Sequence, residues 1–284
     1  MPLVSTGEIV GAAAAARRGC GAFNAIQLEH ITAIIDGAAT AKAPVIVQLS
    51  QNAVRYHGAL APIGGAALAA AREAEARVAV HLDHAESADL VREAVGLGFG
   101  SVMFDASKLD YADNVRATRE VAAFCHDHGV WVEAELGEVG GKDGVHAPGA
   151  RTDPDEAAEF TAATGVDALA VAVGSSHAML TRDATLDFEL IGRLRDRVPV
   201  PLVLHGSSGV PDEGLAAAVR AGMTKINIAT QLNKVFTAAA TGDWRAHPDR
   251  VDPRKYLGAG RDAVAVEVRR LLGVLMLVTE GGPK

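Results

Sequence analysis

His84, His177 and His205 are far apart in a chain of 284 residues, yet each falls at or just beyond the end of a short apolar run. Three imidazoles converging on one point are a natural ligand set for catalytic Zn²⁺, with positions left open for substrate oxygens. Asp83 directly precedes His84. A carboxyl beside a metal ligand can exchange a proton with a hydroxyl or carbonyl held there. A helix-capping role is the alternative for Asp83, although Ser87 is an equally good cap. Asp105 ends another run, and Glu133 and Glu135 stand two apart on one strand, hence on one face. Inside a barrel such acids need a cation or a hydrogen-bond network. Asn24, Gln48, Ser50, Asn227 and Thr230 complete the polar residues at run ends. The other histidines read as ordinary. His57, His126, His128 and His247 lie on polar segments, His30 in the first helix, and His146 in a long loop within reach of the same end. His81 is expected to face away from the Asp83-His84 pair and to be structural.

The runs that must position these residues are Gly21–Ala25, Pro44–Leu49, Arg77–Leu82, Ser101–Phe104, Val130–Ala134, Ala168–Val173, Pro201–Leu204 and Thr224–Ile228. Each has strand length and reads as buried on both faces. Helix-like stretches separate them. Asp110–His128 stops at Gly129, and Asp153–Thr164 has Asp153 as N-cap, Pro154 at its first position and Gly165 beyond its end. Eight strands with helical connections predict an α/β fold, the TIM (β/α)₈ barrel, as a single domain over residues 1–284. Ser5–Arg18 and Asp252–Leu272 are extra N- and C-terminal helices. No glycine-rich dinucleotide fingerprint follows the first strand, which argues against an open doubly wound sheet. In a barrel the C-terminal strand ends share one mouth, and the polar residues above would meet there.

Two further features fit that mouth. The segment from Glu133 to Arg151 carries a glycine-rich loop of roughly 13 residues after a strand, longer than ordinary connections and a candidate lid. The turns His205-Gly206-Ser207-Ser208-Gly209 and Asn227-Ile228-Ala229-Thr230 each lead from a late strand into a helix. Backbone N–H groups at such turns bind phosphate.

The formal net charge of −8 rests on 35 acidic against 27 basic residues, without the basic cluster that nucleic acid requires. Cys20 and Cys125 give no disulfide framework. Arg17 and Arg18 follow rather than precede the Ala12–Ala16 stretch, the wrong order for a secretory signal. No segment reaches the roughly 18 apolar residues of a membrane span. A cytoplasmic protein with no membrane or nucleic-acid partner is expected.

Taken in order, the motifs resemble the class II (metal-dependent) fructose- and tagatose-bisphosphate aldolases across nearly the whole chain. They include Ala22-Phe23-Asn24, Pro44 to Ser50, His81-Leu82-Asp83-His84, Ser101 to Ser107, Glu133-Ala134-Glu135-Leu136-Gly137, Gly174-Ser175-Ser176-His177, Leu204 to Pro211, Lys225 to Thr230 and Asp252 to Leu257. The resemblance implies Zn²⁺ on His84, His177 and His205, with Asp105 and Glu135 holding an alternative or second divalent ion. It implies that Asp83 exchanges the proton at the substrate C4 oxygen, Asp143 or a neighbouring acid the one at the carbanion carbon, and that Asn227 steadies the enediolate. Substrate contacts would come from Asn24, Gln48, Ser50, Ala178, Gly206, Ser207, Ser208, Asn227, Ile228, Ala229 and Thr230. The implied reaction is reversible cleavage of fructose or tagatose 1,6-bisphosphate to dihydroxyacetone phosphate and glyceraldehyde 3-phosphate, by a homodimer or homotetramer. Ala229 resembles the tagatose-type branch.

The chain departs from the family pattern after His177, where Ala178 and Thr181 replace the usual glycine and lysine, which bears on the phosphate pocket or a monovalent cation there. Gln27 replaces Asn, Asn52 replaces Gly, and Asp143 stands where a catalytic Glu is usual. These departures leave open an aldolase for another phosphorylated ketose or deoxy sugar acid, or a non-catalytic partner subunit. Lys225 opens a Schiff-base alternative if it points inward.

Overall fold

The structure is a computed structural model that describes residues 2–136, 151–177 and 179–277. Parallel strands pair in sequence order and close into a barrel: β1 (Cys20–Asn24), β2 (Val45–Ser50), β3 (Val78–Ala85), β4 (Ser101–Phe104), β5 (Trp131–Glu135), β6 (Ala168–Ala170), β7 (Leu202–Leu204) and β8 (Met223–Ile228). β8 pairs with β1, Cys20 opposite Lys225 and Ala22 opposite Asn227. The expected (β/α)₈ barrel is present.

Alternation along each strand builds two cores. Outward residues such as Phe23, Val45, Val47, Val80 and Leu82 pack under the surrounding helices. Full burial of each such side chain is worth about 1.5–3 kcal/mol. Inward residues fill the barrel with Cys20, Ala22, Ile46 and Ala79 at the bottom, and with Met103, Ala168, Ala170 and Val203 on the far wall. The N-terminal helix Thr6–Ala15 starts at a Ser5–Glu8 capping box and presses Ile9, Val10 and Ala13 against that bottom layer. A cavity of about 590 Å³ beside it is lined by Arg17, Arg18, Arg195 and Arg220. These sit in or just beyond last helical turns, where cations complement the dipole, and at the end of the barrel away from the strand C-termini.

Helix ends follow their sequence signals. Asp153 accepts from the N–H groups of Asp155 and Glu156, and Gly165 closes Pro154–Thr164 at φ +72°. The C-terminal helix Pro253–Leu275 packs on the helices Leu28–Ala41 and Thr230–Ala246. A Cβ on Gly37 would lie 2.6 Å from the Ala265 carbonyl oxygen, so this packing requires a glycine.

Two strands depart from expectation. β6 stops at Ala170, because the N–H and C=O of Ala172 bond instead to Thr152 Oγ1 (2.8 Å) and Thr152 N–H (3.0 Å). β3 runs past Leu82 to Ala85 through a shift in register against β4. Among the described residues, no helix is long and apolar enough to cross a membrane.

Candidate active site

Neighbours on a strand point to opposite faces, so Asp83 and His84 could not both face the mouth of a regular β3. The register shift between Leu82 and Ala85 removes the conflict, together with a left-handed backbone at His84, φ +49°. A bulge of this kind re-aims a side chain, and a non-glycine residue held there costs of order 1–3 kcal/mol. The His84 Nδ1–H donates to Asp105 Oδ2 at 2.9 Å, which turns Nε2 toward the other histidines. Asp105 is itself held by the Ser107 hydroxyl at 2.6 Å.

His177 lies on the loop after β6, and three contacts fix that loop. The Ser175 hydroxyl donates to the His205 carbonyl at 2.6 Å. Gly206, at φ +66°, lets β7 turn so closely beneath Ser176 that a Cβ would meet its carbonyl oxygen at 2.5 Å. Arg182 donates to the Val210 carbonyl and pairs with Asp212 at 2.6 Å. His177 Nε2 is buried without a hydrogen-bond partner. Burial, reinforced by the neighbouring His84 and His205, lowers its pKa to about 3 and keeps the ring neutral, as a ligand must be.

His205 follows β7 and is fully buried. Its Nδ1–H donates to Glu135 Oε2 at 3.0 Å and its Nε2–H to Glu133 Oε1 at 3.1 Å. Burial opposes the imidazolium, but these two bonds outweigh it and raise the pKa to about 9. Glu133 is held well below the usual carboxylate range: burial again opposes, and the charge of Lys225 prevails. The three imidazoles lie 4.8–5.5 Å apart between ring centroids. One ligand atom from each, with one from Glu135, falls within 4.8 Å of all the others. Converging nitrogens, one of them orphaned, plus a carboxylate are the donor set of a borderline cation such as Zn²⁺. The residues fit the ion.

Asp83 is buried beside this cluster. Gln48 donates to Asn24 Oδ1 at 3.1 Å, and Asn24 donates to Asp83 Oδ2 at 2.7 Å. That leaves Asp83 Oδ1 without a partner. Burial raises the Asp83 pKa, but His84 and then Lys225 more than reverse this, so the net shift is downward. Asp83 caps no helix. Ser87 caps the helix Ala88–Leu97, as expected.

A cleft of about 200 Å³ opens at the strand C-termini, with Asn24, Ser50, Asp83, His84 and His177 in its lining. Gly206, Ser207, Ser208, Asn227, Ala229 and Thr230 line it too. Other expected contacts are placed differently. Gln48 sits behind Asn24, and Ile228 is buried away from the cleft. The Ser50 hydroxyl caps the helix Gln51–His57. Ser208 Oγ accepts from the N–H groups of Ala229 (3.3 Å) and Gln231 (3.1 Å), so the Ala229 N–H expected for phosphate is turned onto a hydroxyl. Glu135 belongs to the ligand cluster, whereas Asp105 stands behind His84. Asp143, Ala178, His146 and the loop 137–150 lie outside the described residues. His81 shares the inward face of β3 with Asp83 instead of turning away, because residues two apart share a face. Its Nδ1 bonds Ser101 Oγ at 2.8 Å, a structural contact at the barrel floor.

Three features go beyond the sequence reading. Asn52 lines the cleft. Lys234 donates to the Leu180 carbonyl at 2.7 Å, placing a cation beside the loop where Thr181 stands. Lys225 is buried against Glu133 and Asn227. The first two depend on loop paths, which no periodicity reports. The third was half visible, since Lys225 and Asn227 stand two apart on one strand.

Comparison with known proteins agrees with this geometry. Residues 4–278 match the family described as fructose-bisphosphate aldolase class-II. A relative from Giardia intestinalis named fructose-bisphosphate aldolase is 36% identical over 290 aligned positions, covering 93% of this chain and 90% of its own. The crystal structure of the YdjI aldolase from Escherichia coli K12 superposes with a TM-score of 0.84 at 34% identity, over 96% of this chain and 98% of that one. A fructose-bisphosphate aldolase from Campylobacter jejuni shares the fold, with a TM-score of 0.80 at 22% identity, over 96% and 95% of the two chains. The chain is an aldolase, a carbon–carbon lyase, and belongs to the class II fructose-bisphosphate aldolase family.

Proposed function

We propose that this aldolase is Zn²⁺-dependent and reversibly cleaves fructose 1,6-bisphosphate or tagatose 1,6-bisphosphate to dihydroxyacetone phosphate and glyceraldehyde 3-phosphate, in the cytoplasm and as a homodimer or homotetramer. One observation carries the reading. Three imidazoles and Glu135 converge beside a cleft lined by His84, His177 and Asp83, and one oxygen of Asp83 is unpartnered. His84, His177 and His205 would hold the ion with Glu135 as a further donor beside them, and an alternative or second cation on Asp105 and Glu135 would require Asp105 to release the His84 Nδ1–H. When bound, the ion supplies Lewis acidity to the substrate's ketone and adjoining hydroxyl.

The chain's own residues supply the rest. Asp83 is ionised and oriented by Asn24, and takes the C4 hydroxyl proton in cleavage and returns it in condensation. Asn227 donates to the charge developing at the ketone oxygen. Asp143 exchanges the proton at the carbanion carbon. Gly206, Ser207, Ser208 and the 227–230 turn, apart from the Ala229 N–H engaged by Ser208, receive the phosphate on the dihydroxyacetone side, while Ser50 and Asn24 border the sugar chain.

A second reading, another phosphorylated ketose, is favoured by Thr181. Its hydroxyl donates to Asp183 at 2.7 Å, where a lysine is usual. A panel of ketose bisphosphates and monophosphates, assayed for dihydroxyacetone phosphate release with added Zn²⁺, separates the two. Turnover of fructose or tagatose 1,6-bisphosphate is expected. Release only from a monophosphate would replace the substrate proposed.

A further inference from the structure

Lys225 is the only lysine or arginine fully buried among the described residues. Its Nζ lies 2.8 Å from Glu133 Oε2, in an ion pair rather than an aligned hydrogen bond, and donates to Asn227 Oδ1 at 2.8 Å. It does not line the cleft, whereas Asn227 does. This placement argues against a Schiff base, because Nζ is engaged below the site.

An ammonium has three donors and no acceptor. An Asn amide beside it must therefore present its oxygen, which sends the opposite Nδ2–H₂ end away from the lysine. For Asn227 that direction is the cleft. Without the lysine the amide could flip and offer substrate an acceptor where a donor is needed. The same ammonium holds Glu133, whose Oε1 accepts from His205 Nε2–H. With Nε2 as the donor, Nδ1 is the nitrogen left to the cluster of His84, Glu135 and His177. A carboxylate behind a ligating histidine fixes its tautomer and ring plane, and losing such a partner typically costs 10–100-fold in metal affinity.

We infer that Lys225 is a positioning residue that sets two orientations at once, the amide of Asn227 directly and the imidazole of His205 through Glu133. The inference rests on the metal-aldolase reading above. Its test therefore begins with Zn²⁺ affinity of the unaltered protein, measured by competition with a chelator. Absence of binding there would overturn the reading itself.

Given binding, Lys225→Met should weaken Zn²⁺ by about 10–100-fold. Because that variant leaves Glu133 buried and unpaired, folding is checked by thermal melting and a second variant is made. Lys225→Met combined with Glu133→Gln is neutral, and its amide oxygen still accepts from His205. This double variant should regain Zn²⁺ affinity to within a few-fold, yet keep a kcat at least about tenfold low at saturating Zn²⁺, with KM for fructose 1,6-bisphosphate little changed. That split is the signature of an unanchored Asn227. Unaltered kcat in the double variant, or unaltered Zn²⁺ affinity in folded Lys225→Met, would overturn the inference. So would a borohydride-trapped substrate adduct on Lys225.

Discussion

Asp83 and the histidines divide the work at the residue scale, and each division has a measurable consequence. Asp83 bonds Asn24 rather than any histidine, so Asp83→Ala should retain Zn²⁺ by chelator competition. Its turnover should fall about 10²–10⁴-fold, the range for a positioned acid or base. Loss of the ion, with activity returning at excess Zn²⁺, would make Asp83 a structural support. His205 gives the pH dependence. Its proton, held to about pH 9 by Glu133 and Glu135, must leave before Nδ1 can bind a cation. Below pH 9 the imidazolium competes with the metal. Zn²⁺ affinity should therefore rise about tenfold per pH unit from pH 7 toward 9 and level above it. His177, neutral down to about pH 3, adds nothing in that window. A flat profile between pH 7 and 9 would show that His205 is already neutral in the resting site.

Elements place these residues, and much of that placement was legible in the sequence. Buried runs gave strands in order, and Asp153 with Gly165 framed a helix, because caps act locally. The positions of Asn24, His205 and Asn227 at or next to strand ends followed from the same reading, whereas Asp83 lies two residues inside the end of β3. What stayed hidden depends on distant chain segments. Thr152 ends β6 early. The bulge at His84 depends on how β3 meets β4, and the Lys225–Glu133 pair joins β8 to β5, three strands away round the barrel. Helix packing can be tested independently of the site. Gly37→Ala places a Cβ 2.6 Å from the Ala265 carbonyl and 2.8 Å from Val268, so the C-terminal helix must shift. Such overpacking should cost about 1–3 kcal/mol in denaturant melts. Zn²⁺ affinity should change little, because the glycine faces outward from the barrel. A melt unchanged from the unaltered protein would mean that the two helices are not packed this closely.

For the molecule as a whole, sedimentation equilibrium should give the mass of two or four chains if the proposed assembly is right, and a single-chain mass would remove it. The barrel is what draws together histidines from three distant segments. Whether that convergence makes a metal-dependent carbon–carbon lyase can be decided by one assay. Dihydroxyacetone phosphate release from fructose and tagatose 1,6-bisphosphate is measured with protein stripped by a chelator, then titrated with Zn²⁺. Activity should be lost on stripping and return in proportion to Zn²⁺, saturating near one ion per chain. Full cleavage by the stripped protein would contradict a metal centre on His84, His177 and His205.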